Sequence, residues 1–304
     1  MKKISTLLVL LSAAPLAHAD IDVVYGKDNR LDVYQSSASL VRLAKSTAAM
    51  IPVALFSKGA REGVFDLNTI RTLETSQNIC PTEAFANQIT AATCSGFLVA
   101  PDVIVTAGHC YKSFSTPEDV CKKFAWVFDY NMPSAKADPT KNLLIQNIYL
   151  CKEIIKAELS QSQDFAIIRL NRAVTGRSPL TVRKTGKIPN GTALTVIGHP
   201  SGLPTKISDG GKVNNNNPST MFVTNLDTFH GNSGSAVFDT ATGVVEGILI
   251  QGKTDYVPSI KSNPRSCQVV NKCDDQAQNC AAGDEPVPPG EMVLRITSIV
   301  KYLK

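Results

Sequence analysis

The chain has 304 residues, 43% of them hydrophobic and 19% charged, with a formal net charge of +5. That length supports one large domain or two small ones with substantial cores. A positive charge so weak and scattered removes nucleic acid and anionic membranes from the expected partners.

The first residues read as an export signal. Lys2 and Lys3 form a short positive region, an apolar run extends from Ile4 to Leu16, and Ala17-His18-Ala19 sets small residues where a signal peptidase requires them. Cleavage is expected before Asp20, which makes residues 1–19 a signal peptide. The alternative, a retained membrane anchor, is opposed by a run too short to span a bilayer comfortably. Removing 19 residues that include two lysines leaves 285 residues with a charge of +3, expected to be soluble and either periplasmic or secreted. The eight cysteines, Cys80, Cys94, Cys110, Cys121, Cys151, Cys267, Cys273 and Cys280, all lie in that portion. An even number in an exported chain reads as disulfides. Cys267, Cys273 and Cys280 raise the idea of a metal knuckle, but no CxxC pair or nearby histidine supports zinc.

Residues 20–90 read as an N-terminal extension or propeptide that includes the region of a first strand. Leu40–Leu55 carries apolar residues at helical spacing around Arg42 and Lys45 until Pro52 interrupts it, the pattern of a helix followed by a strand. After Cys94 the chain becomes a series of short β-prone runs. Cys94–Val99, Val103–Thr106, Phe124–Tyr130, Leu144–Tyr149 and Phe165–Leu170 form a first set; Ala193–Gly198, Met221–Thr224, Ser235–Phe238, Val244–Ile250 and Met292–Ile296 form a second. Many short strands without alternating helices predict a barrel or a sandwich rather than a parallel sheet. Asn171–Gly191, rich in basic and turn residues, is the expected crossing between halves; Asn214–Asn217 reads as a polar loop and Ser298–Leu303 as a short terminal helix.

Three stretches carry chemistry. Acyl transfer to a serine needs a hydroxyl, a base to take its proton, an anchor for that base and donors aimed at the developing oxyanion. Ser233, in Gly231-Asn232-Ser233-Gly234-Ser235, is the candidate nucleophile, with the N–H groups of Gly231 and Ser233 as the oxyanion hole; the competing reading is a plain glycine–serine turn. His109, in Thr106-Ala107-Gly108-His109-Cys110, is the candidate base, at the end of an apolar strand. His199, in a Gly-His-Pro turn, reads as structural, and His230 is too near Ser233 in sequence to serve as that base. Asp164, directly before the apolar run Phe165-Ala166-Ile167-Ile168, is the candidate anchor, with Asp129 and Asp138 as more distant alternatives.

The TAGHC run, the DFAII strand and the GNSGSAVF loop, in the order His, Asp, Ser, resemble the trypsin/chymotrypsin-like serine endopeptidases. LDTFHGNSGSAVF and VIGHPSG resemble the bacterial glutamyl-endopeptidase-like branch in particular. The resemblance covers roughly Cys94 to Leu303. It implies an all-β fold of two packed six-stranded antiparallel barrels, one about 91–175 and the other about 185–304, with the active site between them. It implies a disulfide between Cys94, fifteen residues before His109, and Cys110 directly after it. It also implies a primary specificity pocket at Asp227–His230 and the strand ending near Gly252. There Asp227 would favour a Lys or Arg side chain, Thr228 and His230 would line the wall, and Gln251 and Gly252 would pair with an extended substrate.

Two departures bear on these expectations. Asn232 stands where animal trypsin-like enzymes carry an aspartate that pairs with a newly cut N-terminus, so that activation route is not implied. The strand Gly247-Ile248-Leu249-Ile250-Gln251-Gly252 lacks the histidine of glutamyl-specific members, which weakens a glutamyl preference. The expected protein is a monomeric serine endopeptidase acting on polypeptides, requiring no metal or organic cofactor. A catalytically silent peptide-binding or adhesion homologue is the alternative. Cys121–Cys151 is the pairing guessed for two of the remaining cysteines.

Overall fold

The computed structural model describes residues 23–68, 71–112, 116–276, 278–282 and 290–303; the expected signal peptide and its cleavage point lie outside the described residues. Two closed six-stranded antiparallel barrels make up the fold, as the sequence led us to expect. In barrel one the spatial order is Phe124–Phe128, Ile148–Leu159, Asp164–Leu170, Val103–Thr106, Cys94–Ala100 and Thr47–Pro52, and the last strand pairs back onto the first. Barrel two runs Ala193–Gly198, Ala236–Asp239, Val245–Gln251, Glu291–Arg295, Met221–Thr224 and Lys206–Asn215, which closes onto Ala193–Gly198. Closure removes exposed sheet edges from both.

Thr47–Pro52 follows the helix Ala38–Ala44 and does not alternate in polarity because both its faces are covered. Ala48 and Met50 point into the core of barrel one, while Ala49 and Ile51 pack with Leu67, Ala125, Val127 and Tyr130. The main apolar core continues from Phe97, Trp126 and Phe165 in barrel one to Ile197, Phe238 and Ile248 in barrel two. The barrels therefore share an interior, and the loops at their junction are set by packing on both sides. Further upstream, Arg30–Asp32 adds a short antiparallel strand to the start of Lys206–Asn215. One N-terminal segment thus touches both barrels.

Two strands differ from the sequence expectation. Ile148–Leu159 runs ten residues beyond Tyr149, and register shifts at Cys151/Glu153 and Ile154/Lys156 scramble the alternation that would have revealed it. Lys206–Asn215 is a ten-residue strand where no strand was expected, and its last two residues fall in the stretch Asn214–Asn217 read as a polar loop. Its sequence, with paired glycines and little apolar content, carries no strand signal; three neighbouring strands impose the conformation. The chain ends in two 3-10 turns, Ile296–Ser298 and Val300–Tyr302, rather than a continuous helix, and the Tyr302 ring stacks on Phe165 of barrel one. The disulfides are Cys80–Cys267, Cys94–Cys110, Cys121–Cys151 and Cys273–Cys280, so the three cysteines considered for a metal knuckle are all bonded to sulfur.

Candidate active site

Asp164 opens one barrel-one strand and His109 follows its neighbour. The antiparallel register sets Ala166 opposite Thr106, and its continuation brings Asp164 level with Gly108. Gly108 is required by this approach: a β-carbon there would lie 2.1 Å from the Glu158 carbonyl oxygen and 2.8 Å from the Phe165 nitrogen. The turn is thereby pressed onto the strand, and His109 reaches Asp164 twice. Its backbone N–H donates to Asp164 Oδ1 at 2.9 Å, and its Nδ1 lies 2.8 Å from Oδ2. Because a carboxylate accepts, Nδ1 carries the proton and Nε2 presents a lone pair. This is the tautomer a general base needs.

Ser233, 9% exposed, sits in a loop made of two successive tight turns. The first runs Phe229–Asn232, closed by Asn232 N–H to the Phe229 carbonyl at 2.9 Å, with Gly231 at φ +90°. The second runs Asn232–Ser235, closed by Ser235 N–H to the Asn232 carbonyl at 2.8 Å, with Gly234 at φ +86°. A left-handed third residue after an ordinary second one is the type II pattern, which is why glycine occupies both places. Barrel one grips the loop through Ser95: its N–H donates to the Ser233 carbonyl at 2.8 Å and its hydroxyl to the Gly231 carbonyl at 2.8 Å. Ser95 follows Cys94, whose disulfide to Cys110 ties the same strand to the residue after His109. Neither the Gly231 nor the Ser233 amide has an acceptor among the described residues.

The residues assigned to specificity lie in barrel two. Asp227 is buried, and its oxygens accept from the backbone N–H groups of Tyr25 and Asn29, each at 2.8 Å. Burial pushes its carboxyl up to about 7, against the lowering effect of those two amides. Thr228 donates its hydroxyl to Glu291, whose other oxygen receives Tyr25 Oη at 2.8 Å and the Lys253 N–H at 3.3 Å. His230 is partly exposed, Gln251 is exposed at the end of its strand, and Gly252 is buried. Sequence reasoning missed Glu291, Tyr25 and the segment at Asp255. Nothing local marks them, since each acts through a partner at least 25 residues away.

His199 is fully buried, with its backbone N–H donating to Ser95 Oγ at 2.9 Å. Its Nδ1 lies 3.2 Å from the Leu203 carbonyl and must therefore hold the proton; among the described residues Nε2 has no partner. One histidine–cysteine cluster, Cys94, His109 and Cys110, has metal-like spacing, but both sulfurs are spent in their mutual disulfide.

Paired barrels, with a histidine–carboxylate pair in the first and a glycine-flanked serine loop in the second, define a class, the serine peptidases. The family model for the Trypsin-like peptidase domain matches residues 94–248, and the chain belongs to that family. It is a serine endopeptidase of the trypsin/chymotrypsin type. Among solved structures, Vibrio cholerae VesB protease is similar with a TM-score of 0.51 at 12% identity, over 90% of this chain and 66% of that one. A Glu endopeptidase in complex with MPD aligns with a TM-score of 0.47 at 18% identity, over 76% of this chain and 88% of that one. No curated protein sequence matches the chain. No helix among the described residues is long and apolar enough to cross a membrane.

Proposed function

We propose that Ser233 is the nucleophile, His109 the general base and then acid, Asp164 its anchor, and the Gly231 and Ser233 amides the oxyanion hole. Ser233 Oγ attacks the peptide carbonyl carbon while His109 Nε2 takes the hydroxyl proton. The Nδ1 proton stays in its bond to Asp164, which stabilises the imidazolium. As the tetrahedral intermediate collapses, His109 returns the proton to the departing amine and an acyl-enzyme remains. Water then attacks the ester, with the same histidine as base, and Ser233 is regenerated. Each oxyanion donor contributes about 3 kcal/mol at the transition state. The observation that carries this reading is the double hydrogen bond between His109 and Asp164, which keeps the ring proton on Nδ1 and so makes Nε2 the basic nitrogen.

A fluorophosphonate probe tests it. The mature protein should be labelled stoichiometrically and Ser233→Ala not at all; labelling of neither would instead favour a silent binding protein.

For residue preference the reading is Lys or Arg. Asp227 and Glu291, both buried beside Thr228, are the acidic side chains that would answer a basic residue, Asp227 once it ionises above about pH 7. Cleavage-site profiling on a peptide library should therefore show a basic residue at the cut position. Glu291→Gln or Asp227→Ser should weaken that preference by roughly tenfold, the worth of about 1.4 kcal/mol. A wild-type profile centred on acidic or apolar residues would dispose of the charge argument. Export to the periplasm or beyond belongs to the same reading, supported by four disulfides.

A further inference from the structure

We infer that Asp255, Tyr256 and Ser201 are positioning residues that hold the Gly231 amide in its oxyanion-binding orientation. The inference rests on the reading of Gly231 as an oxyanion donor. Type I and type II turns differ by a flip of the central peptide, and a glycine at the third position is compatible with both. The turn Phe229–Asn232 is type II, yet nothing in its own sequence forbids the flip. A flip of the His230–Gly231 peptide would swing the Gly231 N–H away from where it now points. Something outside the turn must choose.

Both ends of His230 are held from outside. Its carbonyl accepts the Ser201 N–H, and its own N–H donates to the Asp255 carboxylate, at 3.1 Å to Oδ2 and 3.3 Å to Oδ1. In a trans peptide the C=O and the following N–H point in opposite directions. Pinning the His230 carbonyl to Ser201 therefore aims the Gly231 N–H away from the Ser201 turn. Ser201 itself is left-handed, at φ +52°, which is unusual for a residue with a side chain, and its hydroxyl lies 2.6 Å from Tyr256 Oη. The Tyr256 ring also packs on Phe229, the first residue of the turn, with centroids 5.3 Å apart.

Asp255 and Tyr256 thus reach the oxyanion turn from consecutive positions in a segment that belongs to neither barrel. Tyr256–Pro258 pairs only with Gln268–Val270 among the described strands, and Cys80–Cys267 fastens that hairpin to the loop at Cys80. The arrangement makes a peripheral hairpin the selector of the peptide orientation on which oxyanion stabilisation depends.

Kinetics on the best substrate from the library profile test this with Tyr256→Phe, Asp255→Ala and Asp255→Asn. Tyr256→Phe keeps the ring on Phe229 and removes only the hydroxyl; Asp255→Asn keeps an oxygen that accepts the His230 N–H. Tyr256→Phe and Asp255→Ala should each lower kcat by roughly 10- to 100-fold, with KM within threefold. Affinity for a peptide boronate should fall in parallel, and Asp255→Asn should recover most of the loss. Unchanged kcat in a wild-type-like background, or a loss confined to KM, would overturn the positioning role while leaving the Ser233 labelling result intact. A wild type that is neither labelled nor active would instead overturn the site reading, and this inference with it.

Discussion

Asp164→Asn is expected to lower kcat by about 10⁴-fold while KM stays within a few-fold of wild type. The size of the effect follows from the two bonds the carboxylate makes. Asparagine can keep the one from the His109 backbone N–H by presenting its carbonyl oxygen, so the histidine remains in place. Its amide nitrogen then faces Nδ1, and a donor there requires Nδ1 to accept. The ring proton moves to Nε2, which can no longer take a proton from Ser233. Steady-state kinetics beside a thermal unfolding curve separate this from misfolding: the melting temperature should move little while turnover collapses. Activity within tenfold of wild type would remove Asp164 from the machinery and return attention to other acids of the barrel.

The second large effect concerns acid. Between pH 6.5 and pH 4, His199→Asn is expected to gain about 3 kcal/mol of stability relative to wild type. Burial pushes the His199 imidazole down to about 3, opposed by its bond to the Leu203 carbonyl and reinforced by Lys206 nearby. The unfolded chain takes up a proton near pH 6.5 whereas the folded one does not until about pH 3. Stability attributable to the neutral ring is therefore complete above pH 6.5 and is lost as the pH falls. Asparagine can donate to Leu203 from nearly the same place but does not titrate. Asp227 acts with the opposite sign, since its carboxyl is held neutral up to about 7 against an ordinary value of 3.8. The cost of its ionisation is relieved as the pH drops through 7 toward 3.8, so in wild type the contributions of His199 and Asp227 oppose each other over this range. Chemical denaturation at several pH values would reveal the hidden slope in each single variant, His199→Asn and Asp227→Asn tilting in opposite directions. Profiles parallel to wild type would refute the account.

The parts of the site legible in the sequence were those whose physics is local. A glycine–serine loop shows in sequence where its tight turns fall, though not which way their peptides face, and a histidine after a small-residue turn or an aspartate opening an apolar run can be read from a handful of neighbours. The structure brings His109 and Asp164 together through a register between adjacent strands, which motif order already suggested. Asp227 shows where that kind of reading stops. Its spacing from Ser233 resembles a specificity residue, but whether its oxygens face a pocket or the amides of Tyr25 and Asn29 depends on chain about 200 residues earlier. Glu291, Asp255 and Tyr256 were invisible for the same reason: each acquires meaning from a partner that the fold supplies. The strand Lys206–Asn215 was hidden because its neighbours, rather than its composition, make it extended.

The pairing of Arg30–Asp32 with Lys206–Asn215 has a consequence for biogenesis. A polypeptide made or translocated N-terminus first presents Asp32 to its surroundings long before Lys206 exists, so this seam closes late. Barrel one has all its strands once Leu170 has emerged, whereas Thr228 waits for Glu291, near the end of the chain. The barrel that carries the serine loop therefore closes only after Glu291–Arg295 has been made.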